Sequence, residues 1–167
     1  VAGGGPAGAT AAAILAKEGA AVTLVEQALF PRHHVGESLQ PASFDLLDFH
    51  LGLGPQMASQ GFPLKFGAIY EWGEGDQRWS VLFDERLADG ASHLDREALL
   101  SGDFVHAYQV ERSVFDQILL DHAAERGVDV RQGVEVRAPL MDGERVVGLQ
   151  VRGPDGEETL DADFVID

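Results

Sequence analysis

The hydrophobic pattern at the start of the chain predicts a strand, a helix and a second strand in succession. Residues 6–18 are rich in alanine, begin with proline and are followed by glycine, which is the usual punctuation of a helix. Residues 21–25 form a short apolar run that ends at Glu26, as a buried strand does. With residues 1–2 as the end of a preceding strand, this order predicts an α/β fold that opens a parallel sheet.

The middle of the chain alternates between helical and strand spacing. Apolar residues recur at helical intervals over 44–51, which predicts a short amphipathic helix. Apolar runs at 66–72 and 79–83 predict two strands that are joined by a turn at 73–76. The polar segment 84–104 is expected to be irregular.

A second long helix and a β-meander are expected after residue 112. Ser113 and Asp116 have the spacing of a capping box, although Asp stands where Glu or Gln is usual, and the helix would end at Arg126. Asp-Gly and Pro-Asp-Gly turn sequences then divide a region of strand patterning, so we expect a meander at about residues 128–162. The remaining residues, 163–167, are expected to form a buried strand.

Length, composition and charge exclude several classes of protein. The chain has 167 residues, which predicts one domain, and a net charge of −16, which argues against nucleic acid or an anionic membrane surface as a partner. It contains no cysteine, which excludes a disulfide framework, a thiolate metal site and a cysteine nucleophile. Because neither a membrane-spanning run nor an export leader is visible, we expect a cytoplasmic protein.

The distribution of charge and the two chain ends add further expectations. Residues 1–65 carry three basic and five acidic residues, whereas residues 66–167 carry nine basic and 23 acidic ones. An anionic ligand is therefore least repelled by the first third of the chain. The chain opens beside a glycine cluster without methionine and ends in a strand pattern, so we expect a truncated piece of a longer enzyme.

A glycine-rich turn carries the first sign of function. Gly3, Gly5 and Gly8 fit the pattern G-x-G-x-x-G, whose glycines allow a tight turn, close approach of a diphosphate, and packing of the helix on its strand. Glu26 follows Gly3 by 23 residues, where the ribose-binding acid of a dinucleotide site belongs. The pattern predicts FAD or NAD rather than NADP, and its alternative is an ordinary βα turn.

Several longer stretches of the sequence resemble one enzyme family. GGGPAG at 3–8, LVEQ at 24–27 and FPRHHVGESLQP at 30–41 together look like the N-terminal part of the FAD-dependent halogenases, a tryptophan-halogenase-like group of the flavin monooxygenase superfamily. The resemblance continues at 62–68, 71–73, 109–116 and 163–167. The stretches at 30–41 and 62–68 are the most specific, and they favour halogenases of phenols, pyrroles or carrier-bound acyl groups over the tryptophan-type enzymes.

This resemblance implies a Rossmann-like FAD-binding fold of the two-domain flavin monooxygenase type. Residues 1–167 would be part of the FAD-binding domain, and most of the substrate domain would follow residue 167. The resemblance implies that the amides of Gly4 and Ala7 approach the FAD diphosphate and that Glu26 binds the adenosine ribose. It places Arg32 near the cofactor phosphates.

The resemblance also implies contacts with the flavin side of FAD and a catalytic lysine. Glu37 would contact the cofactor beside the flavin, and Gln109 and Arg112 would touch its ribityl–phosphate side. Lys65 would be catalytic: reduced FAD from a separate flavin reductase, O2 and halide give hypohalous acid, which the lysine delivers to an aromatic or acyl-carrier-protein-bound substrate in biosynthesis. No metal is expected, because the adjacent histidines at 33–34 have no third ligand at suitable spacing.

Two other functions are compatible with the same sequence. One is a related FAD-dependent monooxygenase, hydroxylase or geranylgeranyl-reductase-like oxidoreductase in which Lys65 is incidental. The other is a non-catalytic nucleotide-binding module.

Overall fold

The computed structural model describes most of the chain, and contacts divide it into two compact units. The described residues are 1–73, 77–88, 96–101 and 104–167. The first unit combines Val1–Val35 with Arg112–Asp167, and the second comprises Gly36–Glu111. Length predicts one domain, but length carries no information about which segments share a core.

The described residues form five α-helices and nine strands. In chain order the helices are α1 (Pro6–Lys17), α2 (Pro41–Asp45), α3 (Gly54–Ser59), α4 (Arg96–Ser101) and α5 (Arg112–Glu125). The strands are β1 (Thr23–Glu26), β2 (Leu64–Lys65), β3 (Gly67–Glu71), β4 (Arg78–Leu82), β5 (Ala107–Tyr108), β6 (Asp129–Gln132), β7 (Glu135–Asp142), β8 (Arg145–Gly153) and β9 (Gly156–Asp161). A π-helical turn at Leu46–His50 extends α2, and a 3₁₀ turn spans Glu85–Leu87.

The first unit is built on a parallel pair of strands and two packed helices. β1 pairs in parallel with β6, and Ala2 forms a parallel bridge with Val25, which confirms the predicted order of strand, helix and strand. α1 packs against α5. The buried residues of α1 include the alanines at 9, 12 and 13, whose small side chains let two helices approach closely.

The predicted meander is confirmed as an antiparallel sheet in the order β7-β8-β9. Leu149 and Val151 of β8 pack in a core with Val25 of β1 and with Val134, which immediately precedes β7. The buried strand expected at 163–167 is wrong, because these residues form no strand and Phe164 is 86% exposed. A run of three apolar residues between two aspartates is too short to establish a buried strand.

The second unit holds two small antiparallel pairs, β2 with β5 and β3 with β4. The helix expected over 44–51 appears as α2 and its π-helical extension, and the two predicted strands after it are β3 and β4. Most of the turn predicted between them lies outside the described residues. The segment 84–104, expected to be irregular, contains the 3₁₀ turn and α4 in its described part.

None of the helices in the described segments combines the length and the apolar character needed to cross a bilayer.

Candidate functional site

The glycine turn before α1 is tight and brings the helix against the turn itself. Gly3 has φ +99°, a conformation that favours glycine, and its N–H donates to Val25 O at 2.8 Å. A Cβ atom on Gly8 would lie 2.0 Å from Gly3 O, so only glycine fits there. The first and third glycines of the pattern therefore have the structural duties that the motif predicts.

The N-terminus of α1 has no side-chain cap. Gly5 precedes the helix without a capping hydrogen bond, Pro6 has no N–H, and the first intrahelical bond runs from Ala9 N–H to Gly5 O at 2.9 Å. The amides of Ala7 and Gly8 therefore come before the intrahelical ladder begins. Ala7 is exposed. Such a helix end favours phosphate groups, because its free N–H groups donate hydrogen bonds and the positive end of the helix dipole lies there.

Glu26 ends β1 beside this turn, where it is only 7% exposed. Its Oε2 accepts a hydrogen bond from Gly4 N–H and its Oε1 accepts one from Ala28 N–H, each at 2.8 Å. The Gly4 amide was expected at the FAD diphosphate, but in this structure it is directed to Glu26. The motif could not reveal this contact, because the pairing depends on the side-chain position of a residue 22 positions away.

An open recess of about 580 Å³ lies next to the end of β1. Its lining residues come from the segment after β1, from β7 and from the ends of β6 and β8: Gln27, Ala28, Gly133, Glu135, Arg152, Gly153 and Pro154.

Arg32 lies beside the glycine turn. Its Nη2 is 3.5 Å from the position that a Cβ atom on Gly5 would take, and its guanidinium lies 4.7 Å from the centroid of the Phe30 ring. Its Nη1 is 3.4 Å from Asp116 Oδ2 and, within the part of the chain that the structure describes, makes no hydrogen bond although it is buried. A partly satisfied cation next to an open helix N-terminus fits the diphosphate of FAD.

Arg112 begins α5 and is buried, with 8% of its surface exposed. Its Nε and Nη2 donate to the two carboxylate oxygens of Asp116 at 2.6 and 2.9 Å, and its Nη1 donates to Val35 O at 2.5 Å. Arg112 is thus an internal residue that joins α5 to the 34–35 segment. The capping box expected at Ser113 and Asp116 is wrong, because the Asp116 carboxylate is directed to Arg112.

In the second unit, two of the expected cofactor contacts lie on adjacent extended segments. Ser38 forms an antiparallel bridge with Gln109, and the next pair is joined by a hydrogen bond from Val110 N–H to Glu37 O at 2.7 Å. The side chains of Glu37 and Gln109 are both exposed. The pairing explains why two residues more than 70 positions apart in the sequence come together.

Lys65 lies in β2 of the same second unit. It pairs with Ala107 between β2 and β5, and it is 8% exposed. Its Nζ donates to Leu39 O at 3.0 Å and lies 5.3 Å from the centroid of the Phe83 ring. Lysine is almost never buried unless its ammonium has a partner. The neighbours of the Lys65 ammonium are a carbonyl oxygen and the face of an aromatic ring.

The structure therefore groups the expected site residues by unit. The glycine turn, Glu26, Arg32 and Arg112 belong to the first unit, and Glu37, Lys65 and Gln109 belong to the second. Asp116 is a residue that the sequence reasoning assigned wrongly. Its spacing of four residues after Arg112 on one helix was the signal that could have revealed the ion pair.

Comparison with known proteins assigns the family. A family model described as an FAD binding domain matches residues 1–167. The chain belongs to this family of FAD-binding domains, and its fold is the Rossmann-like FAD-binding fold that the sequence predicts. Within the family it is similar to flavin-dependent halogenases.

Two curated relatives and one solved structure illustrate that similarity. The chain is 38% identical, over its whole length, to a tryptophan 2-halogenase of Chondromyces crocatus. It is 39% identical, over 80% of its length, to a 1H-pyrrole-2-carbonyl-[peptidyl-carrier protein] chlorinase of Pseudomonas fluorescens. It spans 29% and 30% of the lengths of these two relatives.

Among solved structures, the flavin-dependent halogenase CmlS matches 99% of the chain with a TM-score of 0.80 and 37% identity, and the chain covers 28% of it. A flavoprotein/dehydrogenase from Cytophaga hutchinsonii matches 98% of the chain with a TM-score of 0.73 and 32% identity, and the chain covers 37% of it.

Proposed function

We propose that this chain forms the FAD-binding part of an FAD-dependent halogenase in which Lys65 is the catalytic lysine. The observation that carries the proposal is the burial of Lys65 beside Leu39 O and the Phe83 ring, in a chain whose relatives are named halogenases. An incidental surface lysine would keep its ammonium in water.

The first unit supplies the groups that would hold the cofactor. The open N-terminus of α1 and the Arg32 guanidinium would bind the diphosphate, since both are positive and lie beside the same glycine turn. Glu26 would accept hydrogen bonds from the adenosine ribose, because each carboxylate oxygen can accept more than the one bond observed here. Glu37 and Gln109, both exposed in the second unit, would contact the flavin side.

FAD, when bound and reduced, would supply the chemistry that converts O2 and halide into hypohalous acid. The Lys65 ammonium has three N–H donors, of which one goes to Leu39 O. The others would hold the oxygen of hypohalous acid and direct the electrophilic halogen towards an electron-rich carbon of the substrate. Low exposure of the ammonium strengthens these bonds, because little water competes for them.

The proposal extends to partners. A separate flavin reductase would supply the reduced cofactor, and the substrate would be a small aromatic or a carrier-bound acyl group used in the biosynthesis of a secondary metabolite. The names of the two curated relatives support both substrate types. We place the protein in the cytoplasm, where reduced flavin is produced.

A pair of lysine variants in the full protein tests the proposal. Lys65 and Lys17 are the two lysines of this sequence, and Lys17 is exposed at the end of α1. With reduced FAD, O2, bromide and an electron-rich phenol or pyrrole, Lys65→Ala should abolish halogen incorporation measured by mass spectrometry. Its FAD affinity and hydrogen peroxide release should persist, and Lys17→Ala should behave as the unmodified protein. Full halogenation by Lys65→Ala would contradict the proposal.

A second function deserves testing because one structural relative is a flavoprotein/dehydrogenase at 32% identity. If the protein is instead a hydroxylase or a reductase, product formation should not require halide, and the product should contain added oxygen or hydrogen. A protein that binds no FAD at all would favour the non-catalytic module.

A further inference from the structure

Asp116 is a fully buried carboxylate on which two arginines converge. Its side chain is 0% exposed, and it accepts both hydrogen bonds of a bidentate pair with Arg112. Arg32 Nη1 lies 3.4 Å from the same Oδ2 atom. One carboxylate therefore faces two guanidinium groups, and these three side chains together carry a formal charge of +1. A net positive charge at a poorly hydrated position favours an anion beside it.

The orientation of Arg32 shows where that anion would bind. Nη1 faces Asp116, whereas Nη2 faces the Gly5 backbone at the start of α1. The Phe30 ring covers the guanidinium, and the Phe30 N–H is itself held by Gln132 Oε1 at 2.6 Å. The guanidinium is thus fixed on several sides, with one edge next to the positive end of a helix.

We propose that Asp116 is a positioning residue for cofactor binding, which holds Arg32 against the glycine turn so that it meets the FAD diphosphate in a fixed geometry. Asp116 does not itself touch the cofactor. This inference rests on the proposed function, because it assumes that FAD binds at the N-terminus of α1. The gain is in preorganisation: a guanidinium that is already held loses less conformational freedom when the anion binds.

Arg112 has a different duty in the same cluster. Its bidentate pair fixes the direction of the Asp116 carboxylate, and its Nη1 bond to Val35 O ties down the segment that follows Arg32. The family resemblance implies that Arg112 contacts FAD directly, whereas the observed contacts assign it to the support of Asp116.

A double-mutant cycle on FAD affinity tests the inference in the full protein. The four proteins are the unmodified one, Asp116→Asn, Arg32→Met and the double variant, and the dissociation constant of oxidised FAD is measured by quenching of flavin fluorescence. Asp121→Asn is the matched control, because Asp121 lies exposed on the same helix and bonds to Gln117. Circular dichroism monitors folding of every variant.

Asp116→Asn should weaken FAD binding by about tenfold when Arg32 is present, because the carboxylate charge that holds the guanidinium in place is lost. In the Arg32→Met background it should change the affinity less than about twofold, since there is no guanidinium left to position. Asp121→Asn should have no effect in either background. Equal losses in both backgrounds, or no loss in either, would overturn the inference.

Two further results keep the test decisive. Should Asp116→Asn fail to fold, Asp116→Glu takes its place in the cycle, because it keeps a carboxylate for Arg112 while displacing it by one methylene; the same criterion applies. If the unmodified protein does not bind FAD, the proposed function fails and the inference falls with it. If it binds FAD and the cycle is additive, the inference alone fails.

Discussion

The Glu26 carboxylate accepts a hydrogen bond from the Gly4 N–H at 2.8 Å, so the acid that ends β1 also fixes the glycine turn that precedes α1. A second bond from Ala28 N–H occupies the other oxygen. The residue expected to bind an adenosine ribose is therefore held in place by two backbone amides before any ligand arrives. If Glu26 binds the ribose as we propose, one side chain holds the turn in place and also recognises the ligand.

Replacement of Glu26 should separate its contribution to stability from its contribution to FAD binding. Glu26→Ala leaves the buried Gly4 N–H and the half-buried Ala28 N–H without this acceptor and should lower the free energy of unfolding by about 2 kcal/mol or more. Glu26→Gln keeps one carbonyl oxygen and should lose less stability, while still weakening FAD binding because one acceptor is gone. Urea unfolding and FAD titration measure the two effects. Unchanged stability in Glu26→Ala would show that the amides do not depend on this carboxylate.

Two glycine-to-alanine substitutions in the glycine turn should differ in their effect on the stability of the protein. Gly8→Ala places a Cβ atom 2.0 Å from Gly3 O and should destabilise the protein by about 2 kcal/mol or more, because the helix must move away from the turn. Gly5→Ala meets only Arg32 Nη2 at 3.5 Å, with an ordinary φ of −67°, so its stability should change by less than about 1 kcal/mol. Its added methyl should nevertheless weaken FAD binding, since it lies between Arg32 and the helix end. Thermal unfolding of the two variants gives the comparison, and equal stability would refute the close approach of α1.

The buried His122 predicts acid sensitivity of the first unit. Burial lowers the pKa of the His122 imidazole below its usual value, the nearby Arg126 lowers it further, and Glu125 acts in the opposite direction. The unfolded state therefore takes up a proton first as the pH falls, so this stabilisation is present above about pH 6.5 and is lost as the pH drops through that value towards the lower folded-state pKa.

Urea unfolding between about pH 7.5 and pH 5 measures this effect. His122→Gln should flatten the dependence of the unfolding free energy on pH, whereas His33→Gln, at an exposed loop position, should leave it unchanged. An identical slope in His122→Gln would mean that another group is responsible.

Local patterns predicted the elements that depend on neighbouring residues. The proline that begins α1, the apolar run of β1 and the turn sequences of the meander each specify structure within a few positions, and the structure contains all three elements. The G-x-G-x-x-G spacing likewise located the glycine turn. Residues 163–167 were misassigned, because burial depends on what packs against a segment and not only on its own apolar residues.

Long-range pairing was not visible in the sequence. The approach of residues 37–38 to 109–110, and with it the surroundings of Lys65, depends on hydrogen bonds between distant segments. Asp116 shows a related difficulty: its position in the sequence fits both a helix cap and an i,i+4 ion pair. Arg32 also lies beside the Asp116 carboxylate and completes the ion-pair cluster. No spacing in the sequence reveals this contact.

The most direct test of the account compares the binding of FAD and FMN to the full protein by isothermal titration calorimetry. FMN carries the flavin and one phosphate but no diphosphate and no adenosine, so it cannot use both the N-terminus of α1 with Arg32 and the Glu26 carboxylate. The account predicts one FAD site with an affinity at least about a hundredfold higher than that for FMN, the effect of losing about 2.7 kcal/mol of contacts. Equal affinities for FAD and FMN would contradict it.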